Sequence, residues 1–276
     1  MNEKSEKKNE KGRQLPVSIL LLFLAIVGIT AATTAWFTIA DHTRVQSMSL
    51  DIFSGYSLRF DLEPHKKLEE YKKTLTFQEI CDYTLSKENN GSKKYSLEPV
   101  TTRDCQAFTL ENGTQVEKNS GKYMEFVLNF MSADDMVVHL TSASSEGKKD
   151  GTLVISEEED FPKALRISFT AGNKTSVYSP GNRTESAPPG TTIFGLPDGD
   201  KMIYNDSNAL FALKAYHNQP VTVRVWLEGT DQACTDKLRG VKYSIRLRFA
   251  GTDSQNRLLD GKEKKDHTTK NKKQNI

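Results

Sequence analysis

From Met48 onward, apolar side chains recur at every second position. The runs are Met48, Leu50 and Ile52; Leu58, Phe60 and Leu62; Met124, Phe126, Leu128 and Phe130; Leu165, Ile167 and Phe169; Val221, Val223, Val225 and Leu227; Tyr243, Ile245, Leu247 and Phe249. A period of two places successive side chains on opposite sides of an extended backbone, so each run can bury one face and wet the other. Turn chemistry falls between or beside the runs at Ser54-Gly55, Asn112-Gly113, Gly199-Asp200 and Gly229. The pattern predicts an all-β, mostly antiparallel fold: an immunoglobulin-like or jelly-roll sandwich with loop and helix insertions, preceded by one N-terminal hydrophobic helix. A short helix is expected over 65–74 or 76–84, where Leu68, Tyr71 and Leu75, then Phe77, Ile80 and Tyr83, are about a turn apart. Residues 142–160 and 172–192 read as loops, being rich in Ser, Gly, Asn and turn-forming prolines.

The hydrophobic helix is Leu15–Ala40, a run without a charge that follows a lysine-rich stretch. Such a run enters a membrane, and its basic flank, residues 1–14, stays cytoplasmic. Two fates are open. Thr30 and Ala32, or Thr33 and Ala35, suit signal peptidase, which makes Thr33, Thr34, Ala35, Trp36 and Phe37 the expected cleavage region. The run is also long enough to remain as an anchor. Residues 41–260 then form the extracytoplasmic domain, and 261–276 a disordered basic tail. The formal charge of +2 conceals +2 in residues 1–35 and +4 in 261–276, leaving residues 36–260 at −4. That body lacks the basic field nucleic acid requires. Membrane contact through residues 15–40, signal peptidase during export and self-association or surface proteins are the expected partners.

Candidate chemistry is sparse. His42, His65, His139, His217 and His267 are scattered with no metal-ligand spacing, and no nucleophile elbow, phosphate loop or dinucleotide fingerprint occurs. No metal, no cofactor and no catalytic residue is therefore assigned. Asp198, Asp200, Asn205 and Asp206 are oxygen-rich, but Ile203 stands where a calcium loop needs glycine for its turn, so a plain polar loop is expected. Asn90, Asn112, Asn173, Asn182 and Asn205 begin N-x-S/T triplets of the kind that polar loops generate by composition. Of the three cysteines, Cys81 and Cys105 are the expected pair if a disulfide forms. The bond would close a loop of about 25 residues and contribute on the order of 3 kcal/mol. Trp226 falls on the face opposite Val223, Val225 and Leu227, so it needs a cover, either from its own chain or from a docking partner.

Two segments carry a resemblance. Thr34-Ala35-Trp36-Phe37-Thr38, directly after the hydrophobic run, resembles the SipW-dependent exported proteins of Gram-positive bacteria, the TasA and camelysin-like group. The segment Trp226-Leu227-Glu228-Gly229-Thr230-Asp231-Gln232-Ala233-Cys234 looks like a WLEGxDxxC signature of surface proteins related to that class. The resemblance implies a β-sandwich exported to the cell surface or biofilm matrix, with a structural or adhesive role and fibre formation by passing an N-terminal strand to the next subunit. A membrane-tethered ectodomain that binds a glycan or host protein is the alternative, and a camelysin-like protease a weaker one.

Overall fold

The computed structural model describes residues 48–54, 57–86, 95–118, 120–142, 151–182, 188–197 and 202–259, and of 48–54 and 85–86 the backbone alone. All lie in one compact unit, Gln46–Ile276. The hydrophobic run, the cleavage region Thr33–Phe37, the 261–276 tail, Asn90, Asp198 and Asp200 lie outside the described residues. In chain order the elements are β1 (Met48–Ser54), β2 (Leu58–Asp61), β3 (Thr74–Leu75), α1 (Phe77–Ser86), β4 (Pro99–Thr102), β5 (Phe108–Thr109), β6 (Gln115–Val116), β7 (Met124–Ser132), β8 (Met136–Leu140) and β9 (Leu153–Ser156). There follow the single turn α2 (Phe161–Ala164), β10 (Leu165–Ala171), β11 (Lys174–Tyr178), β12 (Thr191–Phe194), β13 (Ala209–Leu213), β14 (Gln219–Glu228) and β15 (Tyr243–Thr252).

The strands form two sheets. The six-stranded sheet runs β13-β8-β15-β1-β3, with β9 also on β15. In the nine-stranded sheet the order is β12-β11-β10-β14-β4-β5-β6, and β7 joins β14 beside β4 and carries β2 on its far edge. The fold is thus all-β, with mixed sheets: β1–β15, β11–β12 and β14–β4 are parallel pairs, and the remaining ladders are antiparallel. The two ten-residue strands, β14 and β15, organise their sheets because each is long enough to hold two neighbours in succession along one edge. β7 and then β4 line one edge of β14, and β9 and then β8 line one edge of β15.

The main core is apolar and lies between the sheets. Phe249 of β15 meets Phe60, Phe130 and Phe169 of the opposite sheet at ring-centroid distances of 6.2, 5.0 and 5.7 Å, all edge-to-face, as ring quadrupoles prefer. A second apolar cluster comprises Val100, Cys105, Phe108, Val116, Tyr123, Val177 and Trp226. It accounts for β10, in which Leu165 through Phe169 are all buried: Leu165, Ile167 and Phe169 belong to the main core, while Arg166 pairs with Trp226 across the strands.

The runs of alternation fall on strands, save that Leu62 lies just past the end of β2, and α1 matches the helix expected over 76–84. The other three local expectations need correction. Residues 65–74 hold only a 3-10 turn, Leu68–Glu70, because Lys72 exchanges both main-chain hydrogen bonds with Phe60 at 3.0 Å and draws the segment into the sheet. The expected loop at 172–192 contains β11 and starts β12: Thr175, Ser176 and Ser179 are buried polar residues that look loop-like in sequence. The expected loop at 142–160 includes β9, whose register with β15 runs from Leu153↔Arg246 to Ser156↔Tyr243.

Candidate functional site

The WLEG segment carries a connected set of polar contacts at the end of β14. Trp226 is 1% exposed, and its cover comes from its own chain: Phe108 stands edge-on at 5.4 Å and in turn stacks on Tyr123 at 4.2 Å. The indole Nε1 donates to Glu228 Oε2 at 3.0 Å, so burial leaves no donor unpaired. Glu228 Oε1 accepts from the Thr230 hydroxyl at 2.8 Å and from its main-chain N–H at 3.3 Å, bending the chain out of the strand. Gly229 N–H donates to Val100 O at 2.9 Å, which ties the turn to β4. Leu227 points the other way, into the main core.

Asp231 completes the turn. Its Oδ1 accepts from Ala233 N–H at 2.9 Å, and Cys234 N–H donates to the Asp231 carbonyl at 2.8 Å. Its Oδ2 receives Arg166 Nη2 at 2.7 Å, with the two side chains 5% and 8% exposed. Arg166 Nη1 donates to the carbonyls of Lys163 and Leu165 at 2.5 and 2.9 Å, so the guanidinium is satisfied on several sides. An ion pair this dry survives only with such saturation of its remaining hydrogen bonds. Every motif residue thus has a partner within the motif, the core or β4. The arrangement works as a clamp that fixes the exit of β14 against α2, β4 and β10.

A second buried pair lies on β14 and β7. Arg224 Nε donates to Glu125 Oε2 at 2.8 Å, and Lys118 Nζ reaches Oε1 at 2.5 Å. Burial pushes the Glu125 carboxyl up, but Lys118 and Arg224 outweigh it and hold the group below its ordinary range. Sequence reasoning missed Arg166, Arg224 and Glu125, which sit at the polar phase of alternating strands and read as solvent-facing.

The disulfide expectation is corrected. Cys81, on α1, belongs to the main core, and Cys105 belongs to the second cluster, so they are in separate apolar groups; both are free thiols, as is Cys234. Burial raises Cys81 and Cys105 to about 12 and Cys234 to about 11, the last helped by Asp231 and Glu228. Thiols so far from ionisation are poor nucleophiles at neutral pH.

His139 of β8 is fully buried. Its Nδ1 lies 2.9 Å from Asn208 Oδ1 and 3.2 Å from Asn208 O; a carbonyl can only accept, so Nδ1 carries the hydrogen and Nε2 accepts from the Thr252 hydroxyl at 3.1 Å. Burial lowers its basicity, opposed by the bonds to Asn208; nearby Lys174 adds to the lowering and Asp206 works against it. The loop before β13 is internally satisfied: Asn205 Oδ1 takes the Ser207 N–H and hydroxyl at 3.0 and 2.6 Å, and Asn208 Nδ2 donates to Ile203 O at 2.8 Å. Among the described residues, no group of three or more His, Cys, Asp or Glu is placed to hold a metal ion. Comparison with protein-family models, with curated proteins and with solved structures finds no match for the chain.

Replacing Asp231 by Ala leaves the Arg166 charge buried without its counter-ion, and urea denaturation should show a loss of about 3–5 kcal/mol. The joint change Arg166→Met with Asp231→Leu should recover much of it; a loss under about 1 kcal/mol for Asp231→Ala would show that the pair is effectively solvated. His139 predicts a pH dependence. Its folded-state basicity is depressed below the ordinary value of 6.5, so below that pH the unfolded chain takes up the proton first and stability falls as pH falls. The stability difference between wild type and His139→Gln should shrink on acidification from pH 6.5, and a pH-independent difference would contradict this.

Proposed function

We propose that the chain is an exported, non-enzymatic structural or adhesive component of a bacterial cell surface or biofilm matrix, one that assembles by exchange of its N-terminal strand. The observation that carries this reading is the seat of β1. It is the first described strand after the hydrophobic run, and it pairs in parallel with β15 along all seven of its residues, from Met48↔Tyr243 to Ser54↔Phe249. Its other edge meets β3 at only Ile52↔Leu75 and Phe53↔Thr74. A terminal strand held by one long ladder is the kind of element that can leave its own sheet and add to the same slot on a neighbour, with main-chain bonds giving affinity and alternate side chains giving register. While residues 15–40 are in the membrane the strand is tethered, so release by signal peptidase would start assembly. The parallel pairing of the first described strand with the last favours an immunoglobulin-like over a jelly-roll arrangement.

The second reading, a tethered ectodomain that binds a glycan, is supported by the exposed ring of Tyr216. For the first reading, deleting residues 36–44 removes the segment before β1. The shortened exported protein should keep its β-type circular dichroism spectrum but fail to form the filaments or multimers of the full mature chain in electron microscopy. Equal assembly by the truncated protein would show that residues 36–44 take no part in the coupling and would leave β1 itself to be tested.

A further inference from the structure

Among the residues whose side chains are described, every Phe, Tyr and Trp is buried or half-buried except Tyr216, which is 65% exposed. It sits in the short connection between β13 and β14, and its backbone adopts φ +57°, a left-handed conformation that a bulky side chain rarely takes. The backbone beneath it is nevertheless fixed. Tyr216 N–H donates to Ser132 O at 2.7 Å, Ala215 N–H donates to Asp135 Oδ1 at 2.8 Å, and His217 Nδ1 lies 2.8 Å from Ala215 O. Next in sequence, Asn218 accepts from the Tyr71 hydroxyl at 3.0 Å and donates to Asn129 at 3.2 Å, anchoring the connection to the 62–73 segment and β7. A flat ring is thus presented to solvent on a rigid turn, at a position where glycine would sit without strain.

Rigid presentation of an unburied aromatic is what a stacking platform needs, since little ordering remains to be done on binding. The surrounding charge chooses the ligand class. Lys214 on the same turn and Asp134 and Asp135 on the facing β7–β8 turn are all exposed. Lys214 opposes a cation and the two carboxylates oppose an anion, whereas a neutral polyol can use both signs as donors and acceptors. His217 Nδ1 faces a carbonyl and so carries the hydrogen in the neutral ring, leaving Nε2 as an acceptor.

We infer that Tyr216, flanked by Asp134, Asp135, Lys214 and His217, forms a carbohydrate-binding subsite that stacks the flat apolar face of a β-linked pyranose. This rests on the glycan-binding reading and gives it a location. The test is calorimetric titration of the exported protein with a β-1,4-linked cello-oligosaccharide and a chito-oligosaccharide. At least one should bind to wild type and to Tyr216→Phe, while Tyr216→Gly should weaken binding at least tenfold without lowering the melting temperature. Binding that survives Tyr216→Gly unchanged would overturn the subsite and leave the glycan reading standing. Absence of binding by both sugars would overturn both, and a change in oligomeric state caused by Tyr216→Gly would reassign the ring to self-association.

Discussion

Strand β15 has two edges to satisfy, and the six-stranded sheet depends on how this is done. One edge is filled from within the chain by β9 and β8 in succession. The other is filled over Tyr243–Phe249 by β1 alone. The inward residues of β15, Tyr243, Ile245, Leu247 and Phe249, are almost wholly buried in the main core, and Phe249 is the ring on which Phe60, Phe130 and Phe169 converge. An open edge on this strand would therefore expose main-chain donors and acceptors beside the aromatic centre of the main core, an invitation to pair with whatever strand arrives. Among the described residues that strand is the first in the chain.

The nine-stranded sheet solves a different problem. β14 is apolar on its inward face and carries a tryptophan on the other, so both faces need cover. Phe108 and Val100 supply it on the outer side, and the WLEG clamp locks the cover in place through Glu228, Gly229 and the Asp231–Arg166 pair. The motif most reminiscent of a functional signature is accounted for by packing and hydrogen bonding. The Cys81 and Cys105 thiols are likewise buried, and Cys234 is half-buried.

Much of the architecture was legible in the sequence wherever apolar side chains recur at every second position. β2, β7, β14 and β15 alternate cleanly, and the Asn112-Gly113 turn falls between β5 and β6, with Gly113 at φ +80° and Asn112 Oδ1 accepting from Thr114 N–H. Two strands gave no alternation: β13 reads ALFAL, and β11 hides Thr175 and Ser176 inside. The need for a cover over Trp226 could be read from its phase, but not its identity, because Phe108 is far away in sequence. The partners of Arg166, Arg224 and Glu125 are hidden from the sequence for the same reason. Period-two patterning says which face a side chain is on, and it is silent about what later segment packs over that face. The backbone angle of Tyr216 has no sequence signal, since neither glycine nor asparagine marks the position.

The central claim is that the β1–β15 ladder can be made between molecules. Ser49 and Ser244 are register partners in that ladder, so a Ser49→Cys, Ser244→Cys double variant reports who pairs with whom. Oxidised as a dilute monomer it should give a cross-linked single chain; oxidised after assembly it should give a ladder of covalent multimers on denaturing, non-reducing gels. Filaments that yield only internally cross-linked single chains would show that β1 stays at home, and would contradict the account.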